Sequence, residues 1–560
     1  MLVAQVAATL GLRAQPALAA SCIWAGWAFL SACFLALKYL FGTRRNWAGA
    51  CLVLLGLFTV LGLDIVPSAL MWVSRRYHPL MEMEWWRTDR TPSFFGMVLA
   101  SPHHIAGFCS LLVGTLLLLR LQSPKLAPTS RLAPETLRRA VEHIDVACLA
   151  GLLFATASGL SLFPTFCFAV GLSFWAVDLL RRQQWALLGS LAGSGIIALL
   201  LAHSYLTELS SGSSAAHGLL GFAWRSQSFA ATEIARFAPQ GHHGAVFLAL
   251  QQQAGVILLD FMELGFYVFV LGAAVRRDLL RPGRLSAHRC AWWALLLGAG
   301  IPCYFLSSTA TSGPNDLGFD AGFLFRLCLQ LWAVEWVRER WAQRHTLHGT
   351  GPRLMFATAA SLALLGVAAQ AYQALSIRLY FPVVGSGLAH KQVDILTQDH
   401  LAERLYNIRS ALREFDRAVP PSRPDTEAVQ FNPIGPLAAP ELYFNTHQVA
   451  SSDSGCGTSF GGDYAHCGPI YSSLLFLYGN TAEGTRRSRA VNTAQDGAAA
   501  RVATAADLAE VCRTLKLRAI VADATDSIWA HPDSWVWTAP ALVANSTVRV
   551  IGCPAGSWRP

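Results

Sequence analysis

The densest set of reactive side chains in this 560-residue chain runs Arg75-Arg76-Tyr77-His78, then Glu82-Met83-Glu84-Trp85-Trp86-Arg87-Thr88-Asp89-Arg90. Its carboxylates can take a proton, and its guanidiniums can grip a phosphate through two parallel hydrogen bonds. Trp85 and Trp86 can stack on a sugar face or anchor at a lipid–water interface. The plainer alternative is a solvated loop whose charges pair with one another. A second set is Pro102-His103-His104. Adjacent histidines on a helix point to different faces, so they chelate poorly, but one facing inward can donate a proton or bind a metal. A satisfied polar residue at a packing site is the alternative. A third is Asn315-Asp316-Leu317-Gly318-Phe319-Asp320, followed by Arg326. Pro314 and Asn315 suit a helix start, and the carboxylates suit its positive end. An Asp320–Arg326 pair six residues apart is not a direct helical contact, and a cap plus one buried polar residue explains the run as well. The fourth comprises Asp64, close before Pro67, and the pair Asp260 and Glu263, which share a helical face. A charge in lipid costs at least ~2.5–3.5 kcal/mol, so each is a candidate for function. Polar contacts between helices are the alternative.

Ten apolar spans must position these residues: 18–41, 47–73, 95–119, 144–162, 165–177, 185–205, 245–275, 291–305, 317–337 and 354–375. Most can cross ~30 Å of hydrocarbon as helices. The fifth is short and fits only as half of a tight hairpin. Basic residues crowd every odd-numbered gap: Arg44 and Arg45; Arg120 to Arg139; Arg181 and Arg182; Arg276 to Arg289; Arg338 to Arg353. Those gaps are cytoplasmic by the positive-inside rule, and all four reactive sets lie toward the outer face. The tail is then outside, and so is Met1. Residues 1–17 read as an amphipathic piece lying on the outer surface. A first span that enters from outside leads to the expectation of an upstream helix before this chain's start; the alternative is an N-out first helix that simply inserts this way.

A mean hydropathy of +0.39 with 14% charged residues is a membrane composition. The net charge of +9 follows from the loop arginines, so it reads as topology and not as nucleic-acid binding. Residues 18–375 form the helical membrane bundle and 376–560 a soluble extracytoplasmic α/β domain. In that domain an amphipathic helix at 399–417 precedes a Pro-rich linker. Strand-like runs at 472–478, 518–522 and 548–552 flank a helix at 505–515, capped at Thr504 with Asp507 three residues on. Four cysteines lie there, Cys456, Cys467, Cys512 and Cys553. An even number outside the cytoplasm favours disulfides. The short Gly-rich loop between the first two favours 456–467 with 512–553 over the other pairings, and four free thiols are the alternative.

The runs Gly62-Leu63-Asp64, Met83-Glu84-Trp85-Trp86 and Pro102-His103-His104-Ile105-Ala106-Gly107 resemble a family of bacterial polytopic membrane proteins of the GT-C glycosyltransferase-like type. Asn315-Asp316-Leu317-Gly318 looks like that family too, as do Ala522-Asp523-Ala524-Thr525-Asp526 and Ser534-Trp535-Val536-Trp537. His104 matches the family histidine, His103 stands where glutamine is usual, and Asp320 stands where arginine is expected. The resemblance implies an inverting transfer at the outer face of the bacterial inner membrane, from a polyprenyl-phosphate sugar to an envelope acceptor. Glu84, His104 and Asp316 would be catalytic. Arg87, Arg90, Trp85, Trp86 and Asp64 would bind substrate. Arginines or a divalent metal, Mg or Mn, would stabilise the leaving phosphate. The chain supplies no unambiguous Asp-x-Asp. It shows no Walker loop, Rossmann glycine pattern or cytoplasmic nucleotide-binding domain, which argues against ATP-driven transport and a nucleotide-sugar donor. The alternative is a non-enzymatic translocase of lipid or polysaccharide, or an envelope scaffold. A translocase would gather polar residues and helix breaks at mid-depth.

Overall fold

A computed structural model describes residues 14–41, 47–63, 93–122, 135–212, 222–224, 262–280, 285–308, 316–343, 350–375, 401–419, 428–432, 473–479, 502–515 and 517–553, with residues 65, 66, 69, 250, 254 and 257 singly. The helices of the first two-thirds are α1 (Ala14–Phe41), α2 (Trp47–Leu57), α3 (Phe94–Ala100), α4 (Pro102–Arg120), α5 (Glu135–Leu160), α6 (Leu162–Arg181), α7 (Trp185–Gly212), α8 (Tyr267–Asp278), α9 (Ala287–Phe305), α10 (Asp316–Ala342) and α11 (Thr350–Leu375). Among the described residues, seven helices are long and apolar enough to cross a membrane: α1, α4, α5, α6, α7, α10 and α11. Of the other three expected spans, the eighth is the 19-residue α9, with Pro302 inside it. The second and seventh are described only in part.

Burial ranks these helices. The apolar window of α10 is 94% buried, against 28% for α7 and 22% for α11. So α10 is the axis of the bundle, packed by α2, α6, α8 and α9, while α7 and α11 present apolar side chains outward. Leu200 is 71% exposed and Leu364 70%. Apolar surface on that scale belongs against hydrocarbon rather than water. The chain is a helical membrane protein.

Three sequence expectations change in detail. The third span is two helices, broken at Ser101: Ser93 caps α3 by accepting from Gly96 N at 2.9 Å, and Pro102 opens α4 where a missing N–H does no harm. The short fifth span is a full 20-residue helix, because its polar end from Asp178 onward stays helical. It is joined to α5 through Ser161 alone. The second span is not one helix. Its chain leaves α2 at Leu57, and Leu61 N donates to Gly366 O (3.1 Å) and Leu63 N to Met262 O (2.7 Å). Opposite it, Gly265 takes φ +48°, a left-handed conformation suited to glycine, just before α8. The two interruptions touch: a Cβ on Gly62 would sit 2.2 Å from Glu263 O.

Toward the C-terminus, β3 (Ala428–Gln430), β4 (Leu517–Asp523), β5 (Ala541–Ala544) and β6 (Val548–Gly552) form one sheet in the order β3-β4-β6-β5. The β3–β4 pair is parallel and the others antiparallel. Strand β4 is buried along its whole length, so alternate residues serve two cores. Ala519 and Val521 meet Ile408, Leu412 and Phe415 of α12 (Leu401–Ala418). Ile520 and Ala522 meet Leu508, Val511 and Cys512 of α13 (Ala505–Leu515). Thr504 N and Oγ1 both donate to Asp507 Oδ2 at 2.8 Å, so the expected cap forms. The run expected as a strand at 472–478 is instead a short helical turn at 473–477. Leu474, Leu477 and Tyr478 bury at helical spacing, and that period outweighs their strand propensity. Cys512 and Cys553 are joined by a disulfide. Cys456 and Cys467 lie outside the described residues.

A second, small ribbon pairs β1 (Phe222–Trp224) with β2 (Leu306–Ser308), antiparallel. Both strands fall in gaps assigned to the outer face.

Candidate functional site

Three helix ends meet at the predicted outer rim. α4 brings His104 within its first turn, the α5–α6 junction brings Ser161, and the first turns of α10 bring Asp320. His104 Nδ1 lies 2.5 Å from Ser161 Oγ and 3.2 Å from Asp320 Oδ2. Asp320 is wholly buried, and neither of its carboxylate oxygens has a hydrogen-bond partner among the described residues, so its approach to His104 is one of proximity and charge. Close packing sets this geometry: Gly107, one turn into α4, leaves just enough room for Ser161, whose Cβ would stand 3.4 Å from a Cβ there. The imidazoles of His103 and His104 lie 4.1 Å apart, centre to centre. His103 is exposed and His104 half-buried, as expected of neighbours on different helical faces.

Asp316 opens α10 one turn, about 6 Å along the axis, before Asp320. Of the residues named from sequence, His104 and the start of α10 are thus brought to one rim. Glu84, Trp85, Trp86, Arg87, Arg90 and Asp64 lie outside the described residues. Sequence reasoning missed Ser161. The available signal was a lone polar residue at the tip of a tight outer hairpin. It also weighed Asp320 against Arg326, whereas Asp320 meets His104 on another helix.

A second polar locus lies deeper, where the interrupted segments touch. Arg326 and Glu263 are 2% and 1% exposed. Arg326 Nη2 donates to Glu263 O (3.3 Å), and Gln330 Nε2 to Leu57 O (3.4 Å). Tyr267 Oη donates to Leu57 O (2.8 Å) and reaches Val60 O (3.3 Å). A carbonyl released by a helix end inside a membrane needs a donor, and these side chains supply them. Arg326 stands six residues past Asp320, about 9 Å along α10.

At the opposite end of the bundle the arginines expected to mark the cytoplasmic side are built into ion pairs. Arg277 Nη1 binds Glu335 Oε2 (2.6 Å), and Arg289 binds Glu335 Oε1 (2.7 Å) and Asp278 Oδ1 (2.5 Å). Trp293 Nε1 donates to Asp278 Oδ2 (3.1 Å). Burial pushes the Asp278 carboxyl up, but the hydrogen bond and charge of Arg277, with Trp293 and Arg289 behind them, outweigh it and hold the group below the ordinary carboxylate value. Arg182 donates to Asp178 Oδ2 (2.8 Å) and Leu285 O (3.0 Å). This network pins α8, α9 and α10 together and does not resemble a substrate site.

Among the described residues, no group of three or more His, Cys, Asp or Glu side chains is placed to hold a metal ion. The tail motif at 522–526 is a closed turn: Asp523 N donates to Asp526 Oδ2 (2.8 Å), Thr525 Oγ1 to Asp523 Oδ1 (2.6 Å) and Asn432 Nδ2 to Asp526 Oδ1 (2.8 Å). Its carboxylates hold loops in place.

No family model matches this chain, and no curated protein matches it. Among solved structures it is similar to the oligosaccharyltransferase of Archaeoglobus fulgidus, crystallised with a tethered acceptor peptide containing the NVT sequon. The identity is 12% and the TM-score 0.36, over 90% of this chain and 57% of that one. The chain spans little more than half of that enzyme, and a likeness at this score carries no argument about fold or activity.

Proposed function

We propose that this chain is a GT-C-like membrane glycosyltransferase that moves a sugar from a polyprenyl-phosphate donor to an envelope acceptor. Its active face is the outer face of a bacterial inner membrane, with the C-terminal domain on that side. One observation carries the reading: His104 and the start of α10, two of the motifs that resemble the family, come together at the rim where a lipid phosphate would sit, and they meet a buried carboxylate there. In this reading Glu84 takes the proton of an acceptor hydroxyl. The new bond forms between that oxygen and the anomeric carbon with inversion, and the bond to the phosphate oxygen breaks. Arg87 and Arg90 hold the polyprenyl phosphate as it leaves. Trp85 and Trp86 pack the sugar, and Asp64 and Asp316 line the site. No step is assigned to the divalent metal that the family resemblance implies.

Membranes carrying Glu84→Gln should lose transfer of labelled sugar while the protein level stays unchanged. Transfer equal to that of the parent removes the reason for naming this site.

A second reading, a translocase of lipid-linked sugar, draws on the interrupted helices at Gly62 and Gly265 and the buried Arg326 between them. Broken helices around a polar centre are how secondary transporters build their sites. Here, however, the carbonyls at those breaks are satisfied by Tyr267 and Gln330 from within the bundle, which a structural joint needs and a binding site does not. Loss of sugar movement across vesicles in Glu263→Gln, with transfer intact in Glu84→Gln, would favour the translocase.

A further inference from the structure

We propose that Trp537, Trp529 and Arg549 form a binding site on the C-terminal domain for an anionic sugar, a pyranose that carries a carboxylate or a phosphate. The inference concerns the tail and goes beyond the transferase reading, which it does not need.

The run Ser534-Trp535-Val536-Trp537 leads into one helical turn, Trp535–Thr538, and its two tryptophans part ways. Trp535 is fully buried and its Nε1 donates to Leu477 O (2.7 Å), so core packing accounts for it. Two residues on, about 200° around a helix, Trp537 is 41% exposed. Its indole is held all the same. Trp537 Nε1 donates to Trp529 O (2.9 Å), and the two rings meet edge to face with centroids 5.0 Å apart. The ring is therefore fixed, and little entropy remains to be lost when a ligand lies against it.

Arg549 completes the site. It stands on β6 opposite Ala522 of β4 and Ala544 of β5. Directly opposed residues share a sheet face, so both flanking positions hold only a methyl group. The guanidinium lies over the Trp537 ring, 4.9 Å from its centroid, with its Nε buried and without a hydrogen-bond partner. Elsewhere in the domain Arg513 pairs with Glu510 and Arg518 with Asp416. No carboxylate among the described residues pairs with Arg549. An arginine stacked on an indole keeps its planar fork in one orientation, and here its donors are unspent. The complementary ligand is an anion with two oxygens.

The aromatic surface decides what carries that anion. The C–H face of a pyranose packs on an indole, and an acidic substituent at its edge then reaches the guanidinium. An acidic lipid surface is the competing source. Membrane-anchoring tryptophans keep their N–H at the wet end, whereas that of Trp537 is spent inside the fold. Recruitment to anionic lipid also takes a cluster of basic residues, and Arg549 is a single charge. The Cys512–Cys553 disulfide suits an oxidising compartment, where surface glycans lie.

Saturation-transfer NMR on the full-length protein in phosphatidylcholine nanodiscs tests this. The probes are a glucuronate oligosaccharide, a glucose phosphate, a neutral glucose oligosaccharide and glycerol phosphate, the last carrying the anion of a lipid headgroup without a pyranose. Saturation should reach the ring protons of the acidic sugars. The neutral sugar and glycerol phosphate should each bind at least about tenfold more weakly, the worth of one charge-assisted contact or one stacked ring. Arg549→Gln, which keeps a stem on the ring, should remove the preference for charge, and Trp537→Ala should abolish binding. No binding of either acidic sugar, equal binding of charged and neutral sugars, or an Arg549→Gln protein that binds like the parent overturns the proposal. Glycerol phosphate binding as tightly as the glucose phosphate overturns it too, because the site then reads phosphate alone. Should Trp537→Ala fail to fold, Arg549→Gln decides. Transfer plays no part in the readout, so a protein that binds these sugars and transfers none keeps this proposal and loses the transferase reading.

Discussion

At position 320 an aspartate stands where the family resemblance calls for an arginine, and the structure puts a histidine from another helix opposite it. The charge at position 320 is therefore opposite to that expectation, and Asp320 does not offer a phosphate the cation that an arginine would. The unequal exposure of His103 and His104 was readable from their adjacency on a helix, although their rings lie 4.1 Å apart, centre to centre. Ser161 was not, because the contact joins residues 57 apart in sequence, and no local period encodes that. The tail offers a sharper test at this scale. Tyr478 Oη donates to Val521 O (2.8 Å) and Gln430 O (3.1 Å), tying β3 to β4. Burial, with the nearby Asp526 charge, raises its phenol well above the ordinary value. A folded value above the unfolded one, about 10, means that the neutral phenol's contribution is whole below pH 10 and is lost as pH rises through the folded value. Tail resistance to proteolysis should therefore fall steeply above pH 10 in the parent. In Tyr478→Phe it should be weaker by about 1–2 kcal/mol at neutral pH and flatter toward alkali. An unchanged alkaline slope in the variant would assign the loss to other groups.

Elements were readable where one period runs unopposed. The apolar helices α1, α7 and α11, the amphipathic α12 and the strands β4 and β6 all follow from spacing alone. The reading failed where tertiary contacts cut an apolar run. The stretch 47–73 is hydrophobic enough to pass for one span, yet it leaves its helix at Leu57, because the backbone there finds partners on α11 and at Met262 instead of within itself. Gly62 is the residue that permits this, with the Glu263 backbone against its Cα. Gly62→Val should therefore overpack the joint and destabilise the protein by about 1–3 kcal/mol or more. Gly56→Ala, in α2 with nothing within 4 Å of the added carbon, should be neutral or stabilising by up to about 1 kcal/mol. Thermal unfolding of the two variants in detergent separates these cases, and equal melting temperatures would show that the Gly62 contact does not hold the joint.

For the whole molecule, the sequence rule and the folded contacts agree on which helix ends lie together. His104, Ser161 and Asp320 gather at one end, and the arginine network of Arg277, Arg289 and Glu335 at the other. The basic loops were read only as markers of side, because positive-inside counting says nothing of partners. Their pairing with Asp278 and Glu335 is a tertiary fact. A reporter fused at Pro420 should be active outside the cytoplasm, and the Cys512–Cys553 bond should resist thiol labelling until reduced. Its loss should weaken the tail by about 2–4 kcal/mol, measured by denaturant unfolding of the full chain. A cytoplasmic reporter signal at Pro420 would reverse every assignment of side made above. The central claim, however, is chemical. Purified protein in liposomes, given a panel of radiolabelled polyprenyl-phosphate sugars and a membrane acceptor fraction, should move label into the acceptor. Glu84→Gln should lower that rate by about 10²–10⁴, the contribution of a positioned general base. No transfer from any donor by the folded parent, or equal transfer by the variant, would contradict the account.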